Sequence, residues 1–323
     1  MTIKIAVLGA GNRGREAYGE YLRNNPGEAQ IVAAAEPNSH KRNSFAKEHD
    51  IKAENLFESW EELLAKEKLA DGIIISTMDK MHLEPAKKAM EKGYKILLEK
   101  PIAPNLEDTL EILNHNKKYN VDVLVCHVLR YTSFYKKLKE LLDRQLIGKV
   151  QFIDHIENIG YYHFAHSFVR GNWRTTKEAA PIILQKTCHD LDLIYWLFEK
   201  KAVELTSKGK LSYFNQENAP ENSAKRCIEC GVESDCPYSA KKIYLTGETK
   251  WPVSVITDDL SAEGVYKAVK EGSYGRCVYQ SDNNVADTQT VQMTLEDNIE
   301  VNFALTAFSE EINRTTKIFG SHG

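Results

Sequence analysis

Through the first 127 residues, short apolar runs alternate with stretches whose apolar residues recur every three or four positions. Ile3 to Leu8, Ile31 to Ala35, Gly72 to Ser76, Tyr94 to Leu98 and Val121 to Cys126 read as strands. Between them, Ala17, Tyr18, Tyr21 and Leu22 fall at helical spacing after Gly14. A second helix runs from about Leu83 to Gly93, whose glycine suits a left-handed cap. Asn105 predicts an N-cap, with Asp108 three residues on and Leu106, Leu110 and Leu113 along one face. Strand and helix in regular alternation predict a doubly wound parallel sheet of the Rossmann type.

After His127 the pattern changes. Phe134, Leu138, Leu141 and Leu142 mark a helix with a buried stripe, and Val150 to Ile159 reads as a strand. His189 to Phe198 is an apolar helix, and residues 215–235 form a polar excursion. Val291 to Leu295 and Ile299 to Ala304 flank Glu296-Asp297-Asn298 as a hairpin, and Arg314 to Phe319 adds a strand. The expectation is α/β overall: a Rossmann domain over 1–127 and an α+β domain with a large, mostly antiparallel sheet over 128–323.

Bulk properties narrow the function. The 323 residues are 42% hydrophobic and 27% charged, as in ordinary globular chains. A net charge of -4 offers no broad basic field, which argues against nucleic acid or an anionic membrane as partner. No apolar run approaches the ~20 residues of a membrane helix, and no signal core is visible. A cytoplasmic location with reduced thiols is therefore expected.

Gly9-Ala10-Gly11-Asn12-Arg13-Gly14 follows the first strand directly and opens a helix, the context a dinucleotide loop requires. Gly9 permits the turn, Gly11 lets backbone approach a pyrophosphate, and Gly14 allows close packing of helix on strand. Glu36 closes the second strand, where a carboxylate accepts from ribose hydroxyls and repels a 2′-phosphate. NAD is thus expected over NADP, with nearby Arg42 acting against that preference. Glu99-Lys100-Pro101 sits at a strand's carboxyl end, where open α/β sheets place ligands.

The glycine loop with Asn12 and Arg13, Glu36, Ser76-Thr77 followed by His82, and Glu99-Lys100-Pro101 together resemble the Gfo/Idh/MocA oxidoreductases. The likeness continues through Arg170-Gly171-Asn172-Trp173-Arg174, Cys188-His189-Asp190-Leu191-Asp192 and the terminal Gly320-Ser321-His322-Gly323. It implies a dehydrogenase acting on CH–OH groups of a sugar, inositol or sugar acid, with Thr77, His82 and Glu99 on the cofactor side. It implies further that Lys100 holds the reacting oxygen and that His189 transfers the proton. Inositol-dehydrogenase-like members carry an aspartate four residues before that histidine, and here Gln185 stands there with Lys186 beside it. That departure suggests a substrate bearing an acidic group.

If residues 185–198 were one helix, Gln185, Lys186, His189 and Asp192 would share a face, and Asp192 would orient the imidazole. Gln185, Lys186, Asp192 and Arg174 are the expected substrate contacts. The scaffold also admits an NAD-dependent glycosidase or a non-catalytic NAD-binding sensor. Cys227-x-x-Cys230 with Cys236 has the spacing of a structural zinc site whose fourth ligand would be Cys277, Cys188 or a histidine, against the alternative of plain reduced cysteines. An open antiparallel face suggests a homo-dimer or homo-tetramer. The chain stops at Gly323, where the resemblance leads one to expect more sheet, so a shortened form is expected.

Overall fold

A computed structural model describes residues 2–323 and divides into two compact units, one ending at His127 and one beginning at Val128. The first holds six strands: β1 (Ile3–Leu8), β2 (Ala29–Ala35), β3 (Leu56–Phe57), β4 (Gly72–Ile75), β5 (Lys95–Leu98) and β6 (Val123–Val125). All pair in parallel, in the order β3-β2-β1-β4-β5-β6. Their uninterrupted apolar character follows from burial on both faces. Ala6, Leu8, Ile73 and Ile75 pack with Leu63, Leu64 and Met90 on one side, while Val7, Ile31 and Ile74 pack with Phe45 on the other. The strand order reverses between β1 and β4, and that is where open α/β sheets leave a ligand crevice beyond their carboxyl ends.

Three details depart from the periodicity. The helix after the glycine loop opens as a π-helix over Arg13–Gly19 and becomes α-helical only at Glu20–Asn24. The wider winding turns Tyr21 outward to Glu28, while Tyr18 and Leu22 stay against the core. On the helix Leu106–Tyr119, Asn105 caps as expected by accepting from the Asp108 N–H at 2.8 Å. Its Leu106, Leu110 and Leu113 are nevertheless exposed, and Ile112 is the residue it buries.

The second unit is built on β7 (Val150–Asn158), β8 (Ala202–Lys210), β9 (Thr288–Leu295), β10 (Ile299–Thr306) and β11 (Asn313–Gly320), in the order β11-β7-β10-β9-β8. β10 and β7 run parallel, and the other three pairs are antiparallel. Asp297 and Asn298 take left-handed backbone to close the β9–β10 hairpin. Inward residues Ile153, Val291, Val301, Phe303 and Leu305 form a core with Phe164, Phe168 and Phe214. β8 escapes a hydropathy reading because it is an edge strand, exposed along its whole length.

On the helix Ser133–Asp143, Tyr135 rather than Phe134 is buried, with Leu138 and Leu142 packed beside it and Phe134 in solvent. The expected continuous helix from Gln185 is two helices, Ile182–Gln185 and Cys188–Phe198, interrupted at Lys186 and Thr187. No helix among the described residues is long and apolar enough to cross a membrane.

Candidate functional site

In the first unit the glycine loop is shaped by its neighbours. Gly9 has φ +89°, and a Cβ there would lie 2.8 Å from the Ser76 carbonyl oxygen. A Cβ on Gly14 would lie 2.0 Å from the Gly9 carbonyl oxygen, so helix and loop meet at contact distance. A Cβ on Gly11 would meet nothing within 4 Å, which leaves its backbone open to a ligand. Ser76 Oγ donates to the carbonyls of Leu8 and Gly9 at 3.1 and 2.8 Å, locking β4 to the loop. The N–H groups at the start of the helix then present a cradle for anionic oxygens.

Glu36 stands at the end of β2 and is 8% exposed. Its carboxylate accepts from the N–H of Ala10 at 2.9 Å and of Asn38 at 3.0 Å, which fixes it beside the loop. Arg42, the residue expected to oppose it, is tethered elsewhere. It donates to the Glu36 and Pro37 carbonyls at 2.6 and 3.3 Å and pairs with Glu58 at 2.9 Å.

Glu99 is buried at the end of β5. It accepts from Arg13 Nε at 2.8 Å, Tyr18 Oη at 2.6 Å and the Lys100 N–H at 3.0 Å. Burial pushes its carboxyl up, but Arg13 and the Tyr18 hydroxyl outweigh that and hold it below the usual carboxylate range. Burial, then the Glu99 charge, raise the Tyr18 hydroxyl. The same two causes push the Cys126 thiol up to about 11, and Tyr18 Oη lies 2.9 Å from its sulfur. Arg13 is therefore tied to Glu99, and Tyr18 and Cys126 join the cluster with no motif to announce them. His82 is buried, with Nδ1 2.8 Å from the Pro101 carbonyl and Nε2 3.2 Å from that of Thr77, and so braces the two loops. Thr77 Oγ1 donates to the Met81 carbonyl at 3.1 Å. Asn12 donates to Glu16 on the loop's outer side. Lys100 is partly buried at the β5 end.

In the second unit the expected residues meet partners from distant strands. Lys186 pairs with the fully buried Glu157 at 3.1 Å, so its charge is balanced within the fold. Arg314 reaches Glu157 at 2.9 Å and Asp190 at 2.6 Å. His155 spans from Asp190 (Nε2, 2.9 Å) to Thr316 Oγ1 (Nδ1, 2.7 Å). Strand register explains the set, since Arg314 lies opposite Glu157 and Thr316 opposite His155 on β11 and β7. Burial, with the nearby Asp190 carboxylate, raises the Glu157 carboxyl despite Lys186 and Arg314. Asp190 is held low, because His155 and Arg314 outweigh the cost of burial.

His189 follows the helix break, one residue before Asp190. Asp192 is held by Arg130, whose Nε donates at 2.7 Å. Gln185 is buried and donates to the Ala180 carbonyl. The break at Lys186 and Thr187 means that these residues do not share one helix face. Arg174 is taken up by Glu178 at 2.8 Å and Asp282 at 2.8 Å, a clamp between loops. Cys227, Cys230 and Cys236 line one small cavity, but no three of their sulfurs come within 4.8 Å of one another, so no metal site is formed as the chain stands.

Residues 3–127 match the oxidoreductase family with an NAD-binding Rossmann fold (GFO_IDH_MocA). Among curated relatives, an uncharacterized oxidoreductase of Streptococcus pneumoniae is 27% identical over 207 residues, 64% of this chain and 53% of that protein. The 2,7-anhydro-N-acetylneuraminate hydratase of Mediterraneibacter gnavus is 27% identical over 208 residues, 64% of this chain and 52% of that protein. The chain spans about half the length of the curated relatives it matches. Among solved structures, scyllo-inositol dehydrogenase from Lactobacillus casei with bound NAD(H) and scyllo-inositol superposes with TM-score 0.69 at 18% identity. The match covers 100% of this chain and 75% of that one, and at this identity it speaks for the fold. With the glycine loop, Glu36 and Glu99-Lys100-Pro101 set at the crevice ends of parallel strands, residues 3–127 are an NAD-binding Rossmann domain of the Gfo/Idh/MocA oxidoreductase type.

Proposed function

We propose that this chain is an NAD-linked dehydrogenase that oxidises a CH–OH group, or reduces the matching carbonyl, on a sugar, inositol or sugar-acid substrate. The observation that carries the cofactor choice is the pairing of a fixed Glu36 carboxylate with an Arg42 already bound to Glu58. A 2′-phosphate would meet the carboxylate without a free guanidinium to offset it. NADH is expected to quench tryptophan emission saturably, and NADPH to bind at least tenfold more weakly. Equal affinities would overturn the NAD assignment, and binding of neither would remove the enzyme reading.

When bound, the nicotinamide accepts or returns the hydride. The chain's own residues do the rest. In this reading Lys100 carries the charge that develops on the reacting oxygen, and His189 takes up the hydroxyl proton. His189→Ala should lower turnover by about 10²–10⁴-fold while leaving NADH binding intact. Near-normal turnover in that variant would sink the role. The name of the hydratase relative favours a second reading, a reaction with no net redox change in which the cofactor is recycled on the protein. Product formed without added NAD, and without NADH accumulating, would select it.

A further inference from the structure

Four of the six cysteines converge where hydride chemistry has no use for them. Cys227, Cys230, Cys236 and Cys277 line a single cavity of about 20 Å³. About 10–15 Å³ already admits a water-sized occupant, so the space suits one water or one ion and nothing larger. Cys227 and Cys230 bracket a short 3₁₀ turn, and Cys236 follows another. Cys277 comes from far along the chain, brought in by the Arg226–Arg276 bridge and by its N–H donating to the Lys225 carbonyl at 2.9 Å.

Arg170 lines the same cavity and is fully buried. Its Nε donates to the Arg276 carbonyl at 2.7 Å, and its Nη2 to the Tyr238 carbonyl at 2.7 Å and to Cys227 Sγ at 3.4 Å. Nη1 has no hydrogen-bond partner. Among the described residues no carboxylate pairs with Arg170, and the one acid on the cavity wall, Glu233, is engaged by Lys241 and Ser239. A guanidinium sealed from water without a counter-charge is strongly disfavoured. Thiols in their protonated form would supply none. A divalent ion held by four thiolates carries a net double negative charge and would answer it, with Arg170 donating to a ligand sulfur.

We propose that Cys227, Cys230, Cys236 and Cys277 together bind one structural zinc ion, with Arg170 as its charge-balancing neighbour. Soft thiolates at this spacing select zinc among common divalent ions. The side chains must rotate inward to bind, because no three of the sulfurs lie within 4.8 Å of one another. The ion pins a loop segment, 215–235, that has little regular structure of its own.

The test is metal analysis of the full chain after desalting, beside a cobalt-substituted sample. One equivalent of zinc, and a sulfur-to-cobalt charge-transfer band of a tetrahedral thiolate site, are expected. Cys277→Ser should retain at least tenfold less metal at this site and keep its NADH affinity. The cobalt spectrum of the unaltered protein decides the question even if that variant folds poorly. Sub-stoichiometric zinc with all four thiols open to a disulfide reagent in the native protein would overturn the proposal. So would full metal retention in Cys277→Ser.

Discussion

Each unit buries carboxylates beside cations, but the two settings differ. In the first, Glu99 meets Arg13, whose side chain is 46% exposed, and a neutral hydroxyl from Tyr18. In the second, Glu157 and Asp190 are both fully buried and share Arg314, with Lys186 and His155 closing the set. The first arrangement leaves one partner in contact with water. The second lies deeper, with Lys186 and Arg314 only 17% and 19% exposed, and every charge in it has a partner. An open ion pair is screened by water, whereas a buried network is held by its own members.

Removing the shared cation gives the largest expected effect. Arg314→Met leaves Glu157 and Asp190 buried with one fewer counter-charge, and breaking such a set typically costs about 3–5 kcal/mol. Arg13→Met takes away a half-exposed partner whose contribution is already reduced by solvent, so below about 2 kcal/mol is expected. Urea unfolding followed through tryptophan emission compares the two. Equal losses would erase the contrast between an open and a closed site.

The same contrast explains what was legible before any coordinates. The cofactor side sits in contiguous motifs, since Gly9 to Gly14 and Glu99-Lys100-Pro101 each lie within a few residues on one strand end. Parallel buried strands announce themselves by unbroken apolar runs, and only the two-residue β3 is too short to show. The Glu157–Arg314 pair is invisible in one dimension, because the β7–β11 register alone makes the residues neighbours. A signal did exist: polar His155 and Glu157 alternate inward with Ile153 on a strand, which marks buried polar groups in need of partners. Arg42 shows the limit of nearness in sequence, for it is tethered to Glu58 and to the carbonyls of Glu36 and Pro37. The helix break at Lys186 and Thr187 had no glycine or proline to mark it.

The finest comparison is in the sign of the pH response. Glu99 is held below its unfolded value near pH ~4.3, so its stabilisation is present above that pH and fades as pH falls through the lower folded value. Glu157 is raised, so its stabilising contribution is complete below about pH 4.3 and is lost as pH climbs through the folded value. Glutamine is close to the neutral form of each side chain and serves as the reference. The deficit of Glu99→Gln against the unaltered protein should therefore shrink as pH drops below about 4.3. That of Glu157→Gln should grow as pH is lowered towards the unfolded value of about 4.3, because protonation relieves the unaltered protein alone. Melting temperatures from about pH 8 down to about pH 3 read both trends. If the two deficits move in the same direction, Glu157 is as well compensated as Glu99, and burial is not what governs the second unit's network.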